Sequence, residues 1–298
     1  MTDNRHNSYL GIGLVILATL AFAMMDGIGR FLVATYPIGQ LLWIRYLVFS
    51  LFALWLCRSD LRQRIRTQRP WMQILRGAIL LVEAFLFVAS FRYLPLAETH
   101  AIASSTPLIV IVLAPIFLKE HVSLEQWLAV LIGFVGTLII IRPGFAASSW
   151  VVVLPLLAAV LFATIQIMAR LLGRTDQGTT TLLYSAMVGL VIISSIGPFC
   201  WSPVQVRDLA LMVVIGLLAA TGHYLLILAL RHTPASVLQP YTYCLLVWAV
   251  AVGFVAFGDI PDAWTLSGGA IVVGSGLYCF HRERSPNAAT HPPRTTNT

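Results

Sequence analysis

The sequence predicts an all-α integral membrane protein of ten transmembrane helices, arranged as two inverted five-helix repeats. Three observations predict this fold class: the composition, ten apolar stretches of membrane-spanning length, and landmarks that recur in both halves. Of the 298 residues, 58% are hydrophobic and only 10% are charged, and the mean hydropathy is +0.85. An average soluble domain is about 45–50% apolar and about 25% charged. The charges are too few to cover a soluble globule, so most of the surface must face lipid.

Ten apolar stretches are each long enough to cross a bilayer core as a helix, which takes about 20 residues. Lipid cannot satisfy free backbone groups, so such stretches form helices or a closed barrel. Barrel strands alternate between apolar and polar residues, whereas runs such as 108–118 do not, and helices are therefore predicted. The predicted spans are 9–30, 38–57, 72–91, 96–118, 124–141, 150–172, 180–200, 208–230, 235–257 and 263–280.

The sequence outside the spans leaves little room for other domains. Residues 9–142 and 150–281 hold five spans each and are predicted to be the two repeats. Residues 1–8 precede them as a cytoplasmic segment, and residues 285–298, rich in Pro, Thr and Asn, are predicted to be a disordered cytoplasmic tail. The longest connection, 58–71, is too short for a soluble catalytic domain. The four cysteines form no Cys-x-x-Cys pair, so no metal or cofactor is expected.

The distribution of positive charge predicts the orientation in the membrane. The formal net charge of +7 lies mostly in short connections, not on a basic face, which argues against nucleic-acid binding. With the N-terminus inside, thirteen Lys and Arg residues fall on the inner side and four on the outer side. Because positive residues favour the cytoplasmic side, both termini are predicted to be cytoplasmic, in the cell (inner) membrane.

Landmarks of the first half recur in the second half at a nearly constant spacing. Pro95 and Pro234, before the fourth and ninth spans, are 139 residues apart, and so are the acids Glu120 and Asp259 that follow those spans. The fifth and tenth spans share Trp127 with Trp264 and Gly136 with Gly274, at offsets of 137 and 138. Since five is odd, a second copy enters the membrane from the opposite side. Inverted repeats are typical of carriers, whose substrate site lies near the midplane between the halves.

With these landmarks the sequence resembles the drug/metabolite transporter superfamily, specifically the ten-helix EamA-domain transporters. The matching stretches are Phe22-Ala-Met-Met-Asp-Gly-Ile-Gly-Arg30, Trp43-Ile-Arg45-Tyr, and in each half the run from the helix-opening proline through Leu118-Lys-Glu120 or Phe257-Gly-Asp259 to the last helix. The resemblance covers nearly the whole ordered chain and implies a carrier with cytoplasmic termini. Relatives of this kind export amino acids and related metabolites, and some import, so the resemblance does not fix the substrate.

Ionisable residues inside the spans point to the transport pathway, because each costs about 2.5–3.5 kcal/mol at a helix centre. Glu83 lies in the middle of the third span. It is expected either to meet a substrate ammonium or carry a proton, or to form a structural pair with Arg45. Asp26 lies late in the first span and either belongs to the site or pairs with Arg30, four residues on. Arg45 either binds a substrate carboxylate or ties helices together or extends towards the membrane surface, and the structural role is favoured.

Polar side chains in four further spans complete the candidate site. His100 precedes Pro107, which is expected to kink the fourth span. Tyrosine rings suit an amphipathic metabolite through stacking, cation–π contact and hydrogen bonds, although membrane tyrosines also form interfacial belts. The predicted substrate-binding residues are Asp26 in the first span, Glu83 in the third, His100 in the fourth, Gln166 in the sixth, His223 in the eighth, and Tyr241 and Tyr243 in the ninth.

Two ridges of small residues are expected to serve helix packing alone. Ala129, Gly133 and Thr137 form one ridge on the fifth span, and Ala270 and Gly274 form another on the tenth. Such ridges let helices approach closely, either within the scaffold or in a homodimer.

The sequence predicts a transporter, not an enzyme. It contains no phosphate-binding G-x-x-x-x-G-K-[ST] loop and no H-E-x-x-H motif. The expected function is secondary-active or facilitative export of amino acids or similar small amphipathic metabolites by alternating access, through a central cavity formed by spans 1, 3, 4, 6, 8 and 9. The alternatives are import of a larger, nucleotide-like cofactor, and an intramembrane enzyme. The expected partners are a small-molecule substrate and the lipid bilayer, with no nucleic acid.

Overall fold

The structure, a computed structural model, describes residues 2–118, 122–141, 150–232, 238 and 241–283. Within these ranges every regular element is a helix. The α-helices are α1 (Thr2–Val33), α2 (Ile38–Cys57), α3 (Leu61–Arg64), α4 (Pro70–Ser90), α5 (Leu96–Ala103), α6 (Thr106–Phe117), α7 (Leu124–Ile141), α8 (Val153–Leu172), α9 (Gly178–Ile193), α10 (Val206–His232), α11 (Cys244–Phe257) and α12 (Ala263–Glu283), with a 3₁₀ helix, Gly197–Cys200, before α10.

Each predicted span coincides with a helix or a helix pair. Seven spans in the described ranges are long and apolar enough to cross a membrane, and α9 and α11 are shorter apolar helices. The chain is therefore a multi-pass membrane protein. The seventh span is shorter than predicted, because α9 ends at Ile193 and Gly197 and Pro198 follow in the 3₁₀ helix. Most of 235–243, at the start of the predicted ninth span, and the whole tail 285–298 lie outside the described residues.

The fourth span is broken into α5 and α6. Ser104 and Ser105 separate the two helices, and Pro107 stands in the first turn of α6, where a proline needs no hydrogen-bond partner for its missing N–H. Both serine hydroxyls donate to backbone carbonyls three residues earlier, at 2.6 and 2.7 Å. The kink expected from Pro107 is confirmed, and it places His100 in the last turn of α5.

The two halves pack against each other in matched pairs. Counting α5–α6 as one span and leaving out α3, the first span packs on the eighth and ninth, while the sixth packs on the third and fourth. The second span likewise packs on the eighth, and the seventh on the third. The second and seventh spans, the fourth and ninth, and the fifth and tenth pack on each other. These main pairings are unchanged when spans 1–5 are exchanged with spans 6–10.

The contact between α7 and α12 depends on glycine. A Cβ atom on Gly136 would lie 2.9 Å from the carbonyl oxygen of Gly268, so the backbones approach too closely for any side chain. The expected ridge on the fifth span is confirmed as a scaffold contact, since Ala129 and Thr137 are buried beside Gly133. The tenth-span ridge behaves differently, because Ala270 and Gly274 lie on the exposed face of α12. A homodimer contact there stays a prediction.

Candidate functional site

A buried acid–imidazole pair lies between α1 and α5. The Oδ2 atom of Asp26 is 3.2 Å from Nε2 of His100, and the two residues are only 6% and 4% exposed. The angle falls outside hydrogen-bond geometry, so among the described residues Nε2 of His100 has no hydrogen-bond partner. Buried polar atoms are nearly always paired. The His100 side chain therefore has an unused donor or acceptor position inside the bundle.

Aromatic rings from α4 fix the orientation of His100. The imidazole lies edge-on to Phe87, with ring centroids 5.1 Å apart, and it is tilted against Phe91 at 6.5 Å. Phe87 lies four residues after Glu83, so the same face of α4 supplies both the carboxylate and the aromatic wall.

Two more charged side chains lie at the depth of Asp26. Asp26, Arg45 and Glu83 are each seven residues from the predicted outer end of their own helix, which is about 10 Å along the axis. Both Arg45 and Asp26 act electrostatically on Glu83. In the described part of the chain no direct ion pair joins Glu83 to Arg45, so the pairing expected between them is a longer-range interaction. We call Asp26, Arg45, Glu83 and His100 the central cluster.

A small cavity lies beside Asp26 and Arg45. Its volume is about 10 Å³, which is room for about one water molecule. Gly29, Val88 and Ile215 line it from α1, α4 and α10. The cavity is thus lined by spans 1, 2, 3 and 8. Span 2 was not among the spans predicted to form the central cavity, and the predicted spans 4, 6 and 9 do not line this one. A molecule larger than water enters this cavity only if the helices around it separate.

His223 lies further towards the predicted inner side of the membrane than the central cluster does. Its ring is stacked on Phe49 at 5.5 Å and meets the edge of Phe22 at 5.1 Å. Phe22 is one helical turn before Asp26 on α1, so His223 lies one turn further towards the predicted inner side. Arg45 and Arg76 both act electrostatically on His223, which places it within reach of the same charges.

The remaining predicted site residues lie elsewhere. Gln166 is half-buried on α8, and no hydrogen bond between described side chains joins it to Asp26 or His100. Tyr241 packs against a buried cluster that contains Val15 on α1, about 16 Å along the helix from Asp26. Tyr243 is buried with its ring over Gly276 of α12. A role for these three residues in substrate binding stays a prediction.

An interaction that the sequence did not point to joins α4 to the seventh span. Arg76 donates a hydrogen bond to Ser185 Oγ at 2.6 Å, and its Nε atom is buried without a partner in the described structure. Arg76 lies seven residues before Glu83, on the same helix face. This shared face was the only sequence signal for Arg76, because nothing in the spacing points to Ser185.

The predicted outer end of the bundle is closed by an ion pair between the halves. Arg30 on α1 pairs with Asp259, after α11, and its guanidinium lies 4.3 Å from the centroid of the Phe257 ring. The alternative that Arg30 pairs with Asp26 is therefore wrong, because Asp26 turns towards His100 instead. Nearby, Tyr36 donates a 2.6 Å hydrogen bond to Asp208, which raises the pKa of the Tyr36 phenol above its usual value.

At the predicted inner end, Asp176 ties the α3–α4 connection to the α8–α9 connection. It accepts hydrogen bonds from Thr67 Oγ1, the backbone N–H of Gln68 and the Gln73 amide. Partial burial raises the pKa of Asp176, but these hydrogen bonds, with one from Thr175, outweigh that effect and lower the pKa below its ordinary value. The carboxylate therefore stays ionised and holds the two connections together at neutral pH.

A groove lies between α4, α6 and α8, and its volume is about 720 Å³. Its walls are almost wholly apolar, with Leu75, Leu113 and Ile167 as representative side chains from the three helices. Gln68 and Arg69 lie at one end. Asp26 and His100 do not line this groove, so it is separate from the central cluster.

Charged side chains buried between membrane-spanning helices are typical of a substrate or ion pathway, so the fold and the site indicate a polytopic membrane transporter. Comparison with known proteins agrees: residues 9–142 match the EamA-like transporter family. A solved crystal structure with 16% sequence identity covers 94% of this chain and 99% of its own, with a TM-score of 0.61, and so shares the fold.

Three relatives extend the comparison over most of the chain. An S-adenosylmethionine uptake transporter of Rickettsia bellii is 25% identical over 95% of this chain and 98% of its own length. A riboflavin transporter of Rhizobium johnstonii is 25% identical over 91% and 92%, and a pseudopaline exporter of Pseudomonas aeruginosa is 27% identical over 88% and 93%. The chain is similar to the EamA-like transporter family, whose model matches its first half. It is a membrane transporter and not an enzyme.

Proposed function

We propose that this transporter moves small amphipathic metabolites with an amino-acid head group across the bacterial inner membrane, by alternating access. Export of amino acids or close relatives is the first candidate. Both termini lie in the cytoplasm in this proposal, as the excess of positive residues on that side favours. The two five-helix units, 9–142 and 150–281, are inverted repeats and rock against each other around the central cluster.

The matched packing of the two halves supports the inverted repeat. Exchange of spans 1–5 with spans 6–10 reproduces the main contacts, which is the pattern expected from a two-fold axis between units. Because each unit has an odd number of spans, that axis lies in the membrane plane. Carriers of this kind bind substrate between the repeats and expose it to each side in turn.

The contact between Asp26 and His100 is the observation that carries the proposal. The carboxylates of Asp26 and Glu83 suit a substrate ammonium, and the Arg45 guanidinium suits a substrate carboxylate through charge-assisted hydrogen bonds. Both kinds of charge thus meet at one depth, as an amino-acid head requires. Phe87 and Phe91 supply an apolar and aromatic surface for the remainder of the molecule.

A nucleotide-like cofactor is the second candidate, and the relatives favour it. One relative that covers 95% of this chain is named for uptake of S-adenosylmethionine, a compound that joins an amino-acid head to an adenosine. Such a substrate would use the same central cluster for its head. The named relatives include an uptake transporter and an exporter, so similarity to them does not set the direction of transport.

Counterflow in proteoliposomes tests the proposal. Vesicles that contain only this protein are loaded with an unlabelled compound and exposed to the same compound in labelled form, with leucine, S-adenosylmethionine and riboflavin tested separately. We expect saturable counterflow of leucine or S-adenosylmethionine. Flux of leucine alone supports the first candidate and flux of S-adenosylmethionine alone the second. Flux of riboflavin alone, which has no amino-acid head, contradicts the proposal.

A matched pair of variants connects the flux to the central cluster. Asp26→Asn removes a buried carboxylate. Asp60→Asn removes a carboxylate in the α2–α3 connection, where the Asp60 side chain is 48% exposed. Loss of a hydrogen bond to a charged group costs about 1.5–3 kcal/mol, or about tenfold to a hundredfold in affinity. We expect this loss only in Asp26→Asn. Equal flux in the two variants would contradict a role for the central cluster.

A further inference from the structure

The groove between α4, α6 and α8 is not lined by any residue of the central cluster. Its walls are apolar, and some of its lining residues are highly exposed: Trp71 is 81% exposed and Phe117 is 55% exposed. On the surface of a membrane span such side chains face lipid tails, and tryptophan favours the level of the head groups. The groove therefore opens sideways into the bilayer.

The end of this groove is positively charged. Arg69 lines it beside Gln68, and the same connection carries Arg58, Arg62 and Arg66. Asp60 is the only acidic residue in 58–71, and it pairs with Arg64. The Arg69 guanidinium makes no ion pair within the described ranges. The Asp176 carboxylate accepts the Gln68 N–H at this end but forms no ion pair with Arg69 in the described structure. An anion here would thus meet a guanidinium that has no direct ionic partner, at the predicted inner surface of the membrane.

An apolar channel that opens to lipid and ends at a positive charge complements one kind of molecule. We propose that the groove binds an anionic phospholipid, with an acyl chain between Leu75, Leu113 and Ile167 and the phosphate at Arg69. Basic pockets between helices on the cytoplasmic side bind such head groups. Since α4 and α6 belong to the first half and α8 to the second, the lipid bridges the two units that move during transport.

Native mass spectrometry of the purified full-length chain tests this site without reference to transport. The protein is titrated with phosphatidylglycerol and, separately, with phosphatidylcholine of the same acyl length. A guanidinium beside the lipid head group contributes about fivefold to the binding of an anionic lipid. We expect tighter binding of phosphatidylglycerol by wild type, and loss of about that factor in Arg69→Gln. Arg62→Gln, in the same connection but outside the groove, is the matched control and should bind as wild type does.

A second variant tests the apolar part of the site. Leu75→Trp fills the groove from an exposed position and should reduce the binding of both lipids. Equal binding of the two lipids by wild type, an equal loss in Arg69→Gln and Arg62→Gln, or unchanged lipid binding in Leu75→Trp would each overturn the proposal. Displacement of phosphatidylglycerol by leucine or S-adenosylmethionine would also overturn it, because the groove would then belong to the substrate route. If the protein transports none of the tested compounds but still binds phosphatidylglycerol more tightly in an Arg69-dependent way, the result supports this inference and contradicts the proposed function.

Discussion

Substitution of Arg30 by glutamine is expected to release the predicted outer end of the bundle. Arg30 is the charged link there between the halves, through its ion pair with Asp259 and its position over the Phe257 ring. Without the guanidinium both contacts are lost, while the uncharged glutamine side chain can still be hydrated at the membrane surface. The closed conformation loses stability relative to one that opens to the outside.

The size of the effect follows from the exposure of the two side chains. They are 18% and 21% exposed, so the ion pair lies near the upper end of the surface range, at about 1 kcal/mol. The cation–π contact adds about 0.5–1 kcal/mol. The sum of about 1.5–2 kcal/mol corresponds to a factor of about 10–30 in the ratio of open to closed protein. Asp259→Asn keeps the cation–π contact and should change the ratio by no more than about fivefold.

Labelling of an introduced cysteine measures this ratio. Gly29 lines the small cavity beside Asp26, and a Cβ atom at this position would meet no heavy atom within 4 Å. Gly29→Cys is therefore tolerated, in a background with the four native cysteines replaced by serine. A membrane-impermeant maleimide added from outside should react about 10–30 times faster when Arg30→Gln is present.

The order of the variants decides whether the reasoning holds. Arg30→Gln should react fastest and Asp259→Asn at an intermediate rate. The charge-exchanged protein, with Arg30→Asp and Asp259→Arg, should return towards the rate of the parent. Labelling of both single variants at the parent rate would refute the role of this ion pair in closure.

Three further predictions concern stability and the site. Gly136→Ala overpacks the α7–α12 contact and should lower the free energy of unfolding by about 1–3 kcal/mol, whereas Gly274→Ala, in open space, should leave the melting temperature unchanged or raised; equal melting temperatures would contradict the packing account. Because hydrogen bonds lower the pKa of Asp176, its stabilising contribution is complete above the ordinary value of 3.8 and is lost as the pH falls below that value through the folded-state pKa. Asp176→Asn should therefore flatten the acid limb of a plot of melting temperature against pH, and an unchanged limb would be the contrary result. His100→Phe keeps the ring contact with Phe87 but removes Nε2, so counterflow should be lost while the protein still folds; wild-type counterflow would exclude a role for the imidazole.

The fold was accessible from the sequence because lipid imposes strict rules. A span needs a certain length of apolar residues whatever its neighbours are, and Pro107 breaks the fourth span through its own missing N–H. The end of the seventh span was harder to locate. Gly197 and Pro198 lie within an otherwise apolar stretch, and hydropathy alone does not register their effect on the backbone.

The site was only partly accessible from the sequence. Asp26, Glu83 and His100 stood out because an ionisable residue in lipid is costly, and the structure places Asp26 against His100, with Glu83 within electrostatic reach of Asp26. Their partners depend on which helix faces which, and a single sequence does not contain that information. Asp26 thus meets His100 on a helix more than seventy residues away, while Arg30, only one turn away, meets Asp259. Tyr241 was selected on chemical type alone, and its packing against Val15 follows from the tertiary structure.

Equilibrium binding to the purified protein tests the central claim most directly. Radiolabelled leucine and S-adenosylmethionine are each titrated against wild type, Asp26→Asn and Asp60→Asn. At least one compound should bind saturably to wild type and to Asp60→Asn with the same Kd, and at least about tenfold more weakly to Asp26→Asn. The same Kd in all three proteins would place the substrate away from Asp26 and contradict the account.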